Sequence, residues 1–316
     1  MRQNGVIIYI SCMRDVPILF RSLVMLCKHF KYVKDYPIVV FHDDIDAVSM
    51  ANLRVAIHQH VGFMPKIDFE RLEFEMPNGV STDPSLYTVS LNEFWMGYRH
   101  MCRFHSGGIY THPKLLKYDW YWRLDSDSYL LAPIEYDPFE HMANNGYEYA
   151  YMCDEDQDVP RVVEGLWEST KEYIDKNKLD TPSLNKRLVN GKWEWNLFYT
   201  NFEISKFSFW RSEQYMSYYK HLDQTGNIYY RRWGDAPIHW LAVRMFMEDS
   251  KVWAVKDITY QHNNWVKNLN AVPNKTLAPE IVGLIDGNET SGRRGRALYA
   301  MNRYLKTGID GTNWGD

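Results

Sequence analysis

The chain has 316 residues, of which 45% are hydrophobic and 24% charged. That supports one large or two small folded domains without disulfide or metal staples, and it excludes a disordered chain. Lys and Arg number 36 against 40 Asp and Glu, a formal charge of -4, so the excess of base expected of a nucleic-acid coat protein is missing.

Val6 to Ser11 is apolar on both faces and reads as a central strand, with Arg14 and Asp15 at its carboxyl end. Pro17 opens a helical pattern through Leu19, Leu23, Leu26, Cys27 and Phe30. Ile38 to Phe41 is a second strand, and Leu53 to His58 reads as a third. A strand–helix–strand start predicts an α/β sheet with crossover helices. Gly62 to Pro84 has little periodicity and reads as a long connection or lid, and Leu91 to Phe104 as a helix. Trp120 to Leu124 and Tyr147 to Cys153 are predicted strands, the second running into Asp154, Glu155 and Asp156. Helices are expected over Pro160 to Lys176, Phe207 to His221 and Asp235 to Met247, with Asp235 suited to the N-cap of the last. Asn201 to Ile204 and Val252 to Val255 are extended, and a peripheral helix and loose tail follow Ser291.

The four cysteines, Cys12, Cys27, Cys102 and Cys153, form no CxxC pair, so free thiols are expected. No stretch approaches the length of apolar residues that a membrane span needs. The chain as given therefore reads as soluble, or as a luminal domain cut from a longer protein. Asn274-Lys275-Thr276 and Asn288-Glu289-Thr290 match the glycosylation acceptor pattern, which also arises by chance.

The strongest local signal is the strand ending in Asp125-Ser126-Asp127. Two carboxylates at the carboxyl end of a buried strand lie where α/β proteins bind ligands. They repel unless a cation or positive group lies between them. Mn2+, or Mg2+, would answer, with phosphate oxygens and water filling its other positions. The plain alternative is turn capping. His262, after a late strand, is a candidate third ligand or a packing residue. Arg14 is placed to meet a phosphate or a surface carboxylate. Glu203 is a candidate to face an anomeric carbon, as nucleophile or electrostatic stabiliser, or it simply faces solvent. Asp235 caps its helix or accepts from sugar hydroxyls. Aromatic residues make up 16% of the chain. The run from Trp193 to Trp210, continued by Tyr215, Tyr218, Tyr219, Tyr229, Tyr230 and Trp233, suggests a carbohydrate groove or an aromatic core. The pairs Arg231-Arg232 and Arg293-Arg294 are expected on the surface.

Several segments in order carry a family resemblance: Tyr98-Arg99-His100-Met101-Cys102-Arg103-Phe104, Ser106-Gly107, Tyr121-Trp122-Arg123, Asn201-Phe202-Glu203-Ile204 and Arg232-Trp233-Gly234-Asp235-Ala236-Pro237. From about Val6 to His262 the chain resembles the fungal Golgi-type α-1,2-mannosyltransferases, glycosyltransferase family 15. The resemblance implies a GT-A fold, an α/β domain with a Rossmann-like, mostly parallel sheet flanked by helices and a mixed extension. It implies one catalytic domain over 1–316. Nucleotide sugar would bind in about 1–155, acceptor contacts and catalysis would fall in about 156–270, and 271–316 would be peripheral. Members transfer mannose from GDP-mannose with retention, forming α-1,2 links, and use Mn2+. The metal-binding acid falls on Asp125, the metal-binding histidine on His262, the proposed catalytic glutamate on Glu203, and the acceptor-side aspartate on Asp235.

Two departures stand out. Asp125-Ser126 replaces the usual Glu-Pro, a shorter carboxylate that would shift the metal or recruit Asp127, and His262 sits in an altered Gln261-His262-Asn263-Asn264. The expected protein is a metal-dependent retaining glycosyltransferase that holds GDP-mannose through Arg14, Asp125 and Asp127. Its partners are an oligosaccharide or glycoprotein acceptor and not nucleic acid. A different nucleotide sugar, or a carbohydrate-binding protein without catalysis, are the rivals. A cytoplasmic setting follows if the chain is full-length, and a Golgi or secretory lumen if it is not.

Overall fold

A strand buried on both faces needs neighbours on both edges, and the first strand has them. The computed structural model describes residues 2–91, 94–154, 157–262 and 265–268. Among the described residues the strands are β1 (Gly5–Ser11), β2 (Ile38–His42), β3 (Ile67–Arg71), β4 (Trp120–Leu124), β5 (Ser128–Leu130), β6 (Tyr149–Tyr151), β7 (Phe202–Lys206), β8 (Val252–Ala254), β9 (Tyr260–His262) and β10 (Trp265–Lys267). Contacts divide the chain into two compact units. Among the described residues, one comprises those up to Leu72, Trp122–His141 and those from Val255 on; the other comprises those within Glu73–Tyr121 and Met142–Ala254.

In the first unit the strand order is β3-β2-β1-β4. β1 pairs in parallel with β2, Ile7 opposite Ile38, and β2 pairs in parallel with β3, Ile38 opposite Ile67. The crossovers are the helices Val16–His29 and Ala47–Val61. The first of these buries Leu19, Phe20, Leu23 and Leu26. Chain order reverses at β1, with β2 on one side and β4 on the other, which is the switch point where open α/β sheets leave a crevice at their carboxyl ends. A small antiparallel sheet, β10-β9-β5, completes this unit.

The second unit carries β7-β6-β8, antiparallel between β6 and β7 and parallel between β6 and β8. Its core is aromatic. Trp210 stacks on Tyr110 with ring centroids 5.1 Å apart and meets Tyr215 edge-on at 4.6 Å. The Arg211 guanidinium donates to the carbonyls of Tyr110, Leu115 and Tyr118, so three loop oxygens are satisfied by one side chain. Among the described residues no helix is long and apolar enough to cross a membrane. All four cysteines are free, and Cys27, Cys102 and Cys153 are buried.

Several expectations need correction. The segment Leu53 to His58 is helical, not a strand: it lies within Ala47–Val61. Asp46 caps that helix by accepting from the Ser49 amide at 2.7 Å, Leu53, Ala56 and Ile57 bury at helical spacing, and Gly62 ends it at φ 77°. The third strand is β3, inside the segment expected to be a lid. The helix expected over Pro160 to Lys176 is a short turn, Pro160–Val162, and a helix, Leu166–Asn177, separated by Gly165 at φ 78°. The aromatic helix divides into Phe207–Trp210 and Glu213–Asp223 because Ser212 caps the second piece. Asp235 is the first residue of its helix and not its cap, a position taken by Gly234. The tail after Ser291, both glycosylation triplets, Arg293-Arg294, Glu155, Asp156, Asn263 and Asn264 lie outside the described residues.

The cap assignment has a direct test. Asp46→Ala should lower unfolding free energy by about 1 kcal/mol, measured by urea denaturation. A strand at this position would leave stability unchanged.

Candidate active site

β4 is buried at every residue and stops at Leu124, delivering Asp125 to the carboxyl end of the first unit's sheet. The next four residues form a turn closed twice by Ser128. Its amide donates to the Asp125 carbonyl at 3.0 Å, and its hydroxyl accepts from the Asp125 amide at 3.0 Å. Ser126 lies against the end of β1, its hydroxyl 3.1 Å from the Ile10 carbonyl and 3.0 Å from Ser11 Oγ. β5 then pairs with β9 so that Ser128 faces His262.

This register brings the three expected ligands together. His262 Nε2 lies 3.0 Å from Asp127 Oδ1 and 4.0 Å from Asp125 Oδ2. Arg123 Nε lies 3.4 Å from Asp125 Oδ1, so the paired carboxylates meet two basic groups. Among the described residues no three His, Cys, Asp or Glu side chains stand spaced to hold a metal ion as they lie. The donor set nonetheless fits a divalent ion such as Mn2+: two hard carboxylates and one imidazole, with a quarter of each aspartate side chain (27%) open to solvent. Ion and histidine–carboxylate contact are alternative ways of satisfying the same atoms. Arg14, in the short turn after β1, lies 3.4 Å from its neighbour Asp15 and is 43% exposed.

Glu203 and Asp235 belong to the second unit. Glu203 sits on β7, whose first four residues are all buried, and is only 1% exposed, so the alternative of a solvent-facing glutamate does not hold. Its Oε1 accepts from Tyr121 at 2.5 Å, and its Oε2 accepts from Tyr149 at 2.9 Å and lies 2.8 Å from His239 Nδ1. His239 Nε2 is 3.0 Å from the Tyr110 hydroxyl and 3.2 Å from the His105 carbonyl. The imidazole therefore bridges the buried carboxylate to the Tyr110 hydroxyl and the His105 carbonyl. Burial, reinforced by Glu203, pushes the Tyr121 phenol well above its ordinary value and keeps it a donor. Asp235 is buried and accepts from the Thr200 hydroxyl at 2.9 Å.

The aromatic run is core, not a groove. Phe198, Phe202, Phe207, Trp210, Tyr215, Tyr218 and Trp233 are fully buried, while Trp195 is a solvent-exposed member. Ser128, Tyr260 and His239 were not singled out from sequence. Serines in turns and histidines on buried helices are common, and no spacing marks these ones.

A sheet with its ligand crevice at a switch point and acidic residues on the turn beyond β4 is the build of a GT-A-type glycosyltransferase fold. Core-mannan synthase A (CmsA/Ktr4) of Aspergillus fumigatus, solved in an Mn/GDP form, superposes with a TM-score of 0.77 over 98% of this chain and 86% of its own, at 24% identity. The chain matches the glycolipid 2-alpha-mannosyltransferase family over residues 1–274 and belongs to that family. Among curated relatives, glycolipid 2-alpha-mannosyltransferase 2 of Candida albicans is 35% identical over 261 residues, 78% of this chain and 55% of that one. The O-glycoside alpha-1,2-mannosyltransferase omh1 of Schizosaccharomyces pombe is 39% identical over 170 residues, 52% of this chain and 43% of its own. The chain spans about half the length of the curated relatives it matches.

Replacing His239 by Leu should leave Glu203 Oε2 without its imidazole partner inside the core. Unfolding free energy should fall by about 3 kcal/mol or more, read by thermal or chemical denaturation. A loss below about 1 kcal/mol would mean the contact contributes no more than an ordinary neutral hydrogen bond.

Proposed function

We propose that this protein is a divalent-cation-dependent retaining glycosyltransferase that moves mannose from GDP-mannose to a saccharide hydroxyl, forming an α-1,2 link. The observation that carries this reading is the convergence of Asp125, Asp127 and His262 at the carboxyl edge of β4, on a fold shared with a protein solved in an Mn/GDP form. Family membership supports the sugar and the linkage.

In this reading Asp125, Asp127 and His262 hold the ion. When bound, it supplies positive charge against a diphosphate leaving group. Arg14, in the turn that follows β1, supplies a guanidinium for a phosphate oxygen. Asp235 orients acceptor hydroxyls. Glu203 acts as a fixed negative charge that favours positive character at the anomeric carbon. Its burial and its engaged oxygens support electrostatic help over covalent attack, and so front-face transfer over a double displacement. The acceptor is an oligosaccharide or glycoprotein glycan. A purely carbohydrate-binding protein loses its motive, because the aromatic run lies inside the core. A different nucleotide sugar stays a rival on the strength of Asp125-Ser126.

Calorimetry with GDP, with and without Mn2+, is the first test: binding should require the ion, and Asp125→Ala should weaken it by more than about tenfold. Ion-independent GDP binding, or stronger transfer from a non-GDP donor in a panel of nucleotide sugars, overturns the proposal.

The role of Glu203 is tested separately. Glu203→Gln should cut transfer by about two orders of magnitude while leaving retained products, and mass spectrometry of the wild type should find no sugar on Glu203. A trapped adduct would establish the double displacement instead.

A further inference from the structure

Behind the Asp125–Asp127 turn runs a chain of hydroxyl groups, none of them a candidate metal ligand. The Tyr9 hydroxyl, on β1, lies 3.1 Å from Ser22 Oγ on the Val16–His29 helix. Ser22 Oγ donates to the Ser128 carbonyl at 2.5 Å, so its single hydrogen is committed and the Tyr9 hydroxyl is the donor between them. Ser128 Oγ lies 2.7 Å from the Tyr260 hydroxyl and accepts from the Asp125 amide. Ser22, Ser128 and Tyr260 are each at most 1% exposed. Ser126 supplies a second attachment, to Ile10 and Ser11 at the end of β1.

The strand register explains why Ser128 occupies the centre. It faces His262 across the β5–β9 pair, while Tyr260, two residues earlier on the same face, reaches it diagonally. Ser128 thus contacts the backbone of Asp125 and the strand that carries His262. One side chain fixes the distance between acidic turn and imidazole. Buried polar groups that are fully paired rigidify what they join.

We infer that Ser128, with Tyr260 and Ser126, are positioning residues that hold the Asp125–Asp127 turn in register with His262 and thereby set the affinity of this centre for a divalent cation. The inference rests on the functional reading above. None of the three touches the ion or the sugar. Ser128 and Tyr260 tie the turn to β9, and Ser126 ties it to β1. Loss of either attachment leaves the ligands present and their spacing loose.

The experiment is titration of the full chain with Mn2+ in the presence of GDP, followed by calorimetry and by the electron paramagnetic resonance signal of free Mn2+. Tyr260→Phe keeps the ring and removes the hydroxyl; Ser126→Ala acts at a part-exposed position. Each should weaken ion binding by about tenfold, with melting temperature near wild type, and Ser126→Thr, which restores a hydroxyl, should recover most of the loss. Ser128→Ala should have the largest effect. Wild-type affinity in both Tyr260→Phe and Ser126→Ala overturns the inference while leaving the functional reading intact. A wild-type protein whose GDP binding ignores Mn2+ overturns both.

Discussion

Two carboxylates one residue apart at the end of a buried strand set the central electrostatic problem of this protein. β4 brings Asp125 and Asp127 to the sheet edge, and their mutual repulsion must be offset locally. Arg123 and His262 do so within the chain. The small antiparallel sheet has a clear purpose in this light. Without β5 folding back against β9, His262 would have no reason to lie near the turn. The carboxylates also keep a quarter of their surface open, so their partners can be exchanged. An ion pair that water or a ligand can reach is a modest contributor to stability, which leaves the group free to serve binding.

Glu203 presents the same charge under opposite conditions. Its two oxygens are taken by two phenols and an imidazole, and almost none of it reaches solvent. Breaking such an arrangement is expensive because the remaining charge has no water to turn to. A carboxylate fixed this way exerts its field without moving. The contrast in exposure, more than the residue type, separates an acid that trades partners from one that stays put. Tyr110 and the His105 carbonyl extend the fixation to the far side of His239, so the orientation of the glutamate is set by groups from several distant segments.

Continuous apolar runs made β1, β2 and β4 legible, and apolar residues at helical spacing did the same for the first helix. Leu53 to His58 failed because two periods coexist there. Leu53, Val55 and Ile57 alternate as in a strand, while Leu53, Ala56 and Ile57 repeat as in a helix. Val55 is half exposed, and only the cap at Asp46 and the stop at Gly62 decide. β3 was lost because Ile67-Asp68-Phe69-Glu70-Arg71 is half polar, as an edge strand can be. Composition could not say whether tyrosines and tryptophans faced in or out; packing turned most of them inward. Asp125 and Asp127 were conspicuous as a paired acidic motif directly after a buried strand, whereas His262 is the last residue of β9 and not a residue beyond a strand. The hydroxyl groups and His239 were not conspicuous, because their significance arises from pairing between remote segments.

The Asp125-Ser126 pair makes physical sense in this setting. Aspartate is one methylene shorter than the glutamate that the family resemblance leads one to expect, so its carboxylate follows the backbone closely and any drift of the turn moves it. A proline at the next position would limit that drift through its fixed φ. Ser126 has no such restraint and instead places a hydroxyl against Ile10 and Ser11, replacing a torsional restraint by hydrogen bonds to the central strand. The two solutions differ in what disturbs them. A ring resists locally whatever its surroundings, whereas a hydrogen-bonded turn is only as well placed as β1 itself. Burial of β1 on both faces therefore bears on the acidic turn as directly as any ligand does.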